Sequence, residues 1–473
     1  MNAPDVSVVI PAYDRPEELR RTLISLTRQT LPVQRFEVIV IDDGSPSDVF
    51  EKSWEVIEGM ENLTLIRNSP GRGVSVARNV GARQAEGELL VFLDVDCMAH
   101  PALLEEHLKA QRERPSAVCG FTHGRELTPS AWSLLLGDEW DMEEPEEAFR
   151  RARAEPRLHD PLTELLHQPS DNDWAFFWTH NVSVPRASFE EAGGFCEDFE
   201  LKGVEDMEIG LRLQLAGVPT VFVPQARALH QPHERDRNAD MFRDRRNDLR
   251  LLVRHPRLEV EAVCSFDIVN AQALHTELVA FSRRLAPSAI DCAHLDELPG
   301  VRAEVEKAER VLLLGSSQGW PAGLRPPSAE INPLPGAQDR TAAQLLGTRL
   351  PFVEPAFDLV LITDYWRALP ERTLCRVLSE ALRCGGRLLL LSGVSTSPLS
   401  APDPALAQAL ERNDRPFWEF TVGLSREFHQ FQFTPIERGA VAGADGRVVR
   451  ALTVQARPWS RSSLTDVFTS PSV

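Results

Sequence analysis

A surplus of positive charge is missing from this chain of 473 residues: 51 Lys plus Arg stand against 70 Asp plus Glu, a formal net charge of −19. Such an excess repels phosphate backbones and anionic lipid over most of the surface, which argues against nucleic-acid and membrane-coating proteins as classes. Paired cysteines are missing too. The seven, at positions 97, 119, 196, 264, 292, 375 and 384, form no CxxC pair and are odd in number. That pattern fits free thiols in a reducing compartment and argues against a structural zinc site. No segment approaches the roughly 18 apolar residues of a membrane helix. After Met1 the chain enters strand-like Val6-Ser7-Val8-Val9-Ile10 without the basic region and long apolar stretch of a signal peptide. The expectation is a cytoplasmic protein with no integral membrane segment and no nucleic-acid partner. Lysine is scarce as well, 4 residues against 47 arginines, which bears on codon usage more than on mechanism.

At this length, with 42% hydrophobic residues, the chain can bury two cores. The charge supports a division. Residues 1–300 hold 52 acids and 32 bases, whereas residues 301–473 hold 18 and 19. Residues 101–200 alone carry 21 acids and 9 bases, including seven carboxylates in the ten positions Asp138–Glu147. A run of that kind reads first as a solvated helix face or a loop.

Val6–Ile10 and Phe36–Ile41 read as buried strands, and Leu19, Leu23 and Leu26 give the segment between them helical spacing. Leu63–Arg67, a helix around Ser75–Gln84 and the apolar run Leu89–Leu93 continue the alternation, so a mostly parallel sheet is expected. Its polar clusters fall at carboxyl ends of strands, where open α/β sheets bind ligands. Pro11-Ala12-Tyr13-Asp14-Arg15 follows the first strand, Asp42-Asp43-Gly44-Ser45 the second, and Asp94-Val95-Asp96 the fourth. In an extended Asp-x-Asp both side chains share one face, suited to a divalent ion and a ribose. Residues 101–178 read as helical. Glu205-Asp206 open an apolar-periodic helix stopped by Gly217 and Pro219, a placement that favours ionised carboxylates and that simple capping also explains. His230 and His233 follow strand-like Val221-Phe222-Val223. Of the four aromatics Trp174, Phe176, Phe177 and Trp178, strand alternation would bury one pair and expose the other.

The strings VSVVIPAYDRPEELRRTLISLTRQT, VIVIDDGS, GVSVARNVGARQAEGELLVFLDVD, GGF and VEDMEIGLRL resemble a family 2 glycosyltransferase of the GT-A fold, from Val6 to about residue 255. The resemblance implies a nucleotide site of Pro11, Tyr13, Arg15, Asp43, Arg78 and Asp94, with Tyr13 on uracil, Asp43 at the base edge and Asp94 at the ribose. For Arg78, an ion pair with Asp42 or Asp43 is the competing reading. The resemblance further implies Mn²⁺ or Mg²⁺ on Asp96 and His230, with His233 as second choice, and Asp206 as general base beside Glu205. Trp178, His180 and Asn181 fall on the acceptor side. The implied reaction is inverting transfer from a nucleotide-diphosphate sugar, most simply a UDP-sugar, to a hydroxyl of a saccharide, glycolipid or peptide. The acidity bordering the acceptor side points to a neutral or basic acceptor.

Residues from about 308 resemble a degenerate class I methyltransferase domain: Arg310–Gly319 runs from a strand into a glycine turn, followed by Phe357–Ile362, a helix near Leu374–Arg383 and Gly385–Leu390. Only Gly315 and Gly319 stand in the first loop, a proline-rich stretch follows, and Glu330 is the one acid placed for a cofactor ribose. The expected division is a GT-A domain 1–255, a helical connector 256–307, a Rossmann-like α/β domain 308–460 for docking or oligomer assembly, and a flexible tail 461–473. A bifunctional enzyme that also uses S-adenosylmethionine, and a catalytically inactive scaffold, are the alternatives.

Overall fold

The computed structural model describes residues 3–111, 114–125, 127–136, 144–168, 170, 172–199, 203–234, 237–293, 295–334, 342–352, 356–393, 431–442 and 448–458. It divides into two compact units, Met1–Asp248 and Leu249–Val473. The tail 461–473 and residues 138–143 of the acidic run lie outside the described residues. Among the described residues no helix is long and apolar enough to cross a membrane.

The first unit is built on a mixed sheet of β1 (Val6–Ala12), β2 (Phe36–Asp42), β3 (Leu63–Arg67), β4 (Leu89–Leu93), β5 (Cys97–Ala99), β6 (Ala117–His123), β7 (Asn181–Pro185) and β8 (Thr220–His230). Their order is β3-β2-β1-β4-β7-β6-β8-β5, a GT-A-like arrangement. The first four neighbours are parallel and β7 runs antiparallel to β4. Alternation along β1 sends Val6, Val8, Ile10 and Ala12 to one face, where they meet Leu19, Leu23 and Leu26 of the helix Pro16–Thr27. Those leucines are fully buried, each contributing about 1.5–3 kcal/mol. Val9 points to the other face and packs with Ile39, Ile41 and Ala77.

Against that second face lies the helix Val74–Gln84, and Gly81 sets how closely. A Cβ there would stand 2.5 Å from Val9 Cγ1 and 2.6 Å from Ile41 Cδ1. One turn earlier on the same helix face, Arg78 is thereby drawn beneath the strand ends, 1% exposed. The strand β6 falls in the stretch 101–178 that reads as helical. All seven of its residues are buried, and a fully buried strand shows no alternation to betray it.

The second unit has β9 (Val311–Leu314), β10 (Ala329–Ile331), β11 (Ala342–Ala343), β12 (Leu359–Ile362), β13 (Leu388–Gly393), β14 (Phe431–Ala442) and β15 (Val448–Pro458). Their order is β11-β10-β9-β12-β13-β15-β14, parallel from β11 to β13, with β15 antiparallel to both its neighbours. Cys292, Leu295, Leu298, Val301 and Val305 join Val311, Leu313, Leu359 and Leu389 in its core. Much of the stretch read as connector therefore supplies apolar packing to this unit.

Candidate active site

Because β1, β2 and β4 are parallel, the polar segments that follow them share one rim. Asp42, fully buried, organises the first part of it. Its Oδ1 accepts from Ser45 N at 2.9 Å and Ser45 Oγ at 2.6 Å, and Oδ2 lies 3.3 Å from Arg67 Nε. Ser45 Oγ in turn accepts from Asp14 N at 3.0 Å. This clamp presents Tyr13 with 59% of its surface open, an available stacking face, while Arg15 is half-buried and 3.9 Å from Glu18. Pro11 lies within β1 and is buried. Unlike Tyr13, it has no open side-chain face to offer a nucleotide.

Asp43 is tied to the loop that leads into the helix Val74–Gln84. Its carboxylate accepts from Asn68 Nδ2 at 3.0 Å, Arg72 N at 3.0 Å and Gly73 N at 2.7 Å. Arg78 departs further from expectation. It pairs with neither Asp42 nor Asp43: Nη2 donates to Asp94 Oδ1 at 3.0 Å and Nη1 to Glu205 Oε1 at 2.9 Å. A guanidinium so buried and forked between two carboxylates is an internal bridge. Burial works against its charge, but Asp94, Glu205 and Asp206 outweigh it and raise its pKa.

Asp96 begins a second cluster. The short strand β5 pairs with β8 so that Cys97 faces His230 in register, and Gln231 N donates to Asp96 O at 2.8 Å. His230 Nε2 lies 3.6 Å from Asp96 Oδ1 and His233 Nδ1 3.2 Å from Oδ2. One ligand atom from each of the three side chains falls within 4.8 Å of the others. Both histidines thus meet Asp96. The intervening Gln231, unremarked in the sequence, is what fixes them. It is 1% exposed, and its Nε2 donates to Glu18 O at 3.0 Å and Thr22 Oγ1 at 3.2 Å. No local signal marks Gln231 in the sequence, because its partners Glu18 and Thr22 lie more than 200 positions away in the helix Pro16–Thr27.

The helix Glu205–Leu215 carries the third group. Val204, directly before it, has φ 60°, a conformation that β-branched residues rarely adopt and that stores roughly 1–3 kcal/mol. This turn places Glu205 inward, where Oε2 accepts from Gly203 N at 2.6 Å and Oε1 from Arg78. Glu205 is 2% exposed and committed to that ion pair, so it corrects to a support for the site and not a reacting group. Asp206 keeps some surface in solvent. Its carboxyl is nevertheless pushed up to about 7, by surrounding protein and then by Glu205, with Arg78 and the Met207 N–H opposing and Asp94 adding to the rise. Helix-terminal position alone would have kept it lower; burial and like charge prevail.

On the expected acceptor side the aromatic segment is a 3-10 turn, Asp173–Phe176, and no strand. Trp174, Phe176 and Phe177 are fully buried and Trp178 is 8% exposed, so no pair is left open. The segment packs on the Glu-Asp helix so closely that a Cβ at Gly210 would lie 2.3 Å from Trp174 O. Trp178 is covered on one face by the Arg125 guanidinium, 4.1 Å from the ring centroid, which Asp160 Oδ2 holds at 2.8 Å. His180 lies beside Trp178, ring centroids 5.8 Å apart, and is also nearly buried.

Asn181 is no acceptor contact. It is fully buried, donates to Ala226 O at 2.9 Å and Phe121 O at 3.3 Å, and meets His107 Nε2 at 2.9 Å through Oδ1. Burial holds the His107 imidazole down at about 4, so it enters this network neutral. Asn181→Leu strands two carbonyls and an imidazole nitrogen, for an expected loss of about 3 kcal/mol and a fall in Tm of roughly 6–12 °C. Thermal melting checks it, and an unchanged Tm contradicts the structural assignment.

A sheet that brings an Asp-x-Asp, a carboxylate with two histidines and a Glu-Asp helix to one rim defines a glycosyltransferase of the GT-A fold. Residues 7–174 match Glycosyl transferase family 2. The chain is 34% identical over 402 residues to validoxylamine A glucosyltransferase of Streptomyces hygroscopicus subsp. jinggangensis (strain 5008), covering 77% of this chain and 91% of the relative. It belongs to family 2 of the glycosyltransferases, and its activity is glycosyl transfer. The uncharacterized glycosyltransferase YfnE of Bacillus subtilis (strain 168) is 29% identical over 48% of this chain and 64% of its own length. Among solved structures, a mannosyltransferase from Pyrobaculum calidifontis in complex with GDP-Man and Mn²⁺ superposes with a TM-score of 0.40 at 19% identity, covering 59% of this chain and 75% of that one.

Proposed function

We propose that the chain is an inverting, divalent-metal-dependent glycosyltransferase that moves a hexosyl or N-acetylhexosaminyl group from a UDP-sugar to a hydroxyl of a neutral or basic acceptor. The observation that carries this reading is the grouping of Asp96, His230 and His233 on the rim that also bears Asp94 and Asp206. The three side chains fit a divalent ion. One carboxylate and two imidazoles form a mixed O/N donor set. With contacts of 3.6 Å from Asp96 Oδ1 to His230 and 3.2 Å from Oδ2 to His233, and one ligand atom of each residue within 4.8 Å of the others, the three would hold one ion together. When bound, such an ion offsets the charge that gathers on a departing diphosphate.

In this reading Tyr13 offers its open face to the base, Asp43 holds the loop beside it, Arg15 stands at the rim near the phosphates and Asp94 accepts from the ribose. Asp206 removes the proton of the acceptor hydroxyl while that oxygen attacks the anomeric carbon, and the carbon–diphosphate bond breaks on the opposite side. One displacement inverts the configuration. Trp178 and His180 border the acceptor without opening a full ring face to it. The validoxylamine A glucosyltransferase relative supports glucose as a donor sugar to test first.

For the second unit we favour docking or assembly on a methyltransferase-like fold, with which its strand order agrees. Glu330 accepts from Ser317 N at 3.1 Å, and Ser317, Gln318 and Gly319 of the glycine turn are exposed. The sparse glycines of that loop, Gly315 and Gly319, and the proline-rich stretch after it are what weigh against a bound adenosyl cofactor and so against the bifunctional alternative.

The test is a panel of UDP- and GDP-sugars with Mn²⁺ and cell extract as acceptor source, read by release of nucleoside diphosphate and by product mass. UDP release from at least one sugar and a mass gain of one sugar unit are expected. Silence across the panel contradicts the proposal, and preferred transfer to polyanionic acceptors contradicts its acceptor class.

A further inference from the structure

One guanidinium, buried to 1% exposure, touches both halves of the site. We propose that Arg78 is a positioning residue that locks the donor-side carboxylate Asp94 to the base-side carboxylate Glu205, and so sets the proton affinity of the neighbouring Asp206. The proposal rests on the reading of Asp206 as general base.

Geometry carries it. Two arms of the same planar group bind the two carboxylates at 3.0 and 2.9 Å, and the Phe195 ring lies 5.5 Å from the guanidinium carbon. The helix bearing Arg78 is itself held at both neighbouring loops. Asp43 grips its N-terminal approach at Gly73 N, and Asn79, the next residue, donates to Phe195 O at 2.9 Å and Glu197 Oε1 at 3.0 Å while accepting from Phe195 N at 2.9 Å. A change at Asp94 on donor binding is therefore transmitted through one rigid fork to Glu205 and to the residue after it.

Among the described residues, the charged groups that bear most on Asp206 are Glu205, Arg78 and Asp94, together with the Met207 N–H. Two anions and one cation surround it, and Arg78 is the only cation of that set. Lysine cannot replace the fork, because a single ammonium lacks the paired planar donors. Losing one arm weakens the opposition to Glu205 and Asp94, and Asp206 then holds its proton to higher pH.

The experiment is the pH dependence of kcat/KM for the full chain, its Arg78→Lys variant and its Glu205→Gln variant, with Tm recorded for each. Arg78→Lys is expected to move the acid limb alkaline by about one unit, to raise KM for the donor as Asp94 loosens, and to regain part of its rate at high pH. Glu205→Gln keeps an acceptor for Arg78 but removes the adjacent charge, and is expected to move the limb toward acid. A purely structural Arg78 would lower Tm and leave the limb in place. That result, or shifts of both variants in the same direction, overturns the proposal. If Arg78→Lys does not fold, the direction of the Glu205→Gln shift decides. Asp206→Asn separates the two levels: an acid limb that survives it refutes the base assignment itself, whereas its loss beside an unmoved Arg78→Lys limb refutes only the coupling.

Discussion

Asp206→Asn is expected to lower kcat by about 10²–10⁴, the usual contribution of a positioned general base, and to remove the acid limb of the pH profile. In the wild-type chain the base is competent only when ionised. With its carboxyl pushed up to about 7, kcat/KM should fall tenfold per unit below that pH and level off above it. The sign for stability runs the other way. A carboxyl whose folded pKa exceeds its unfolded value favours the fold in its protonated form, so its stabilisation is complete below about 4 and lost as pH rises through about 7. Asparagine stays neutral throughout. The variant should therefore melt no lower than wild type at pH 8 while being nearly inactive, a combination that a general loss of folding cannot produce. Initial-rate kinetics from pH 5 to 9 and melting at pH 8 are the measurements, and retained kcat with an unchanged limb would sink the assignment.

The donor side of the rim was legible because its polar residues follow apolar strands whose ends the sequence marks plainly. Tyr13, Asp43, Asp94 and Asp96 stand at abrupt stops in buried runs, and parallel pairing carries them to one side, whereas Asp206 was legible as an acid opening an apolar-periodic helix. What remained hidden depends on long-range contact. Arg78 reads as a ligand-facing cation, and only the close approach allowed by Gly81 turns it beneath the strands to meet a carboxylate 127 positions away. Asn181 sits beside aromatics that suggest a sugar surface, yet its amide closes a gap between β6, β7 and β8. Trp174 to Trp178 are buried because the Glu-Asp helix packs over them at Gly210, which local alternation does not reveal. The strand β6 was invisible for a related reason: complete burial leaves no period to read.

Asp96→Ala should cost still more than loss of a single histidine, because Asp96 is the member that touches both. Its Oδ1 faces His230 and its Oδ2 faces His233, so removing it separates the two rings from their shared anion. A reduction of kcat/KM by about 10² or more is expected, since even outer partners of a metal site are worth roughly 10–100-fold. Activity alone would not show that an ion is involved, so binding must be read separately. An ion that binds the fold and not the unfolded chain raises stability by about 2.7 kcal/mol at a hundredfold excess over Kd, which in a unit of this size raises Tm by roughly 5–10 °C. Wild-type protein stripped with chelator should show that rise when Mn²⁺ is restored, and Asp96→Ala should show almost none. His230→Ala and His233→Ala should fall between, each keeping one nitrogen beside the carboxylate. If Mn²⁺ moves neither the melt nor the rate of the stripped wild type, the three residues form a hydrogen-bonded support and transfer proceeds without a metal. An equal Mn²⁺ response in wild type and Asp96→Ala would instead place the ion elsewhere. The Gln231 anchor sharpens the comparison: Gln231→Leu leaves all three ligands in place but frees the segment between them, so it should weaken the Mn²⁺-induced rise in Tm without abolishing it.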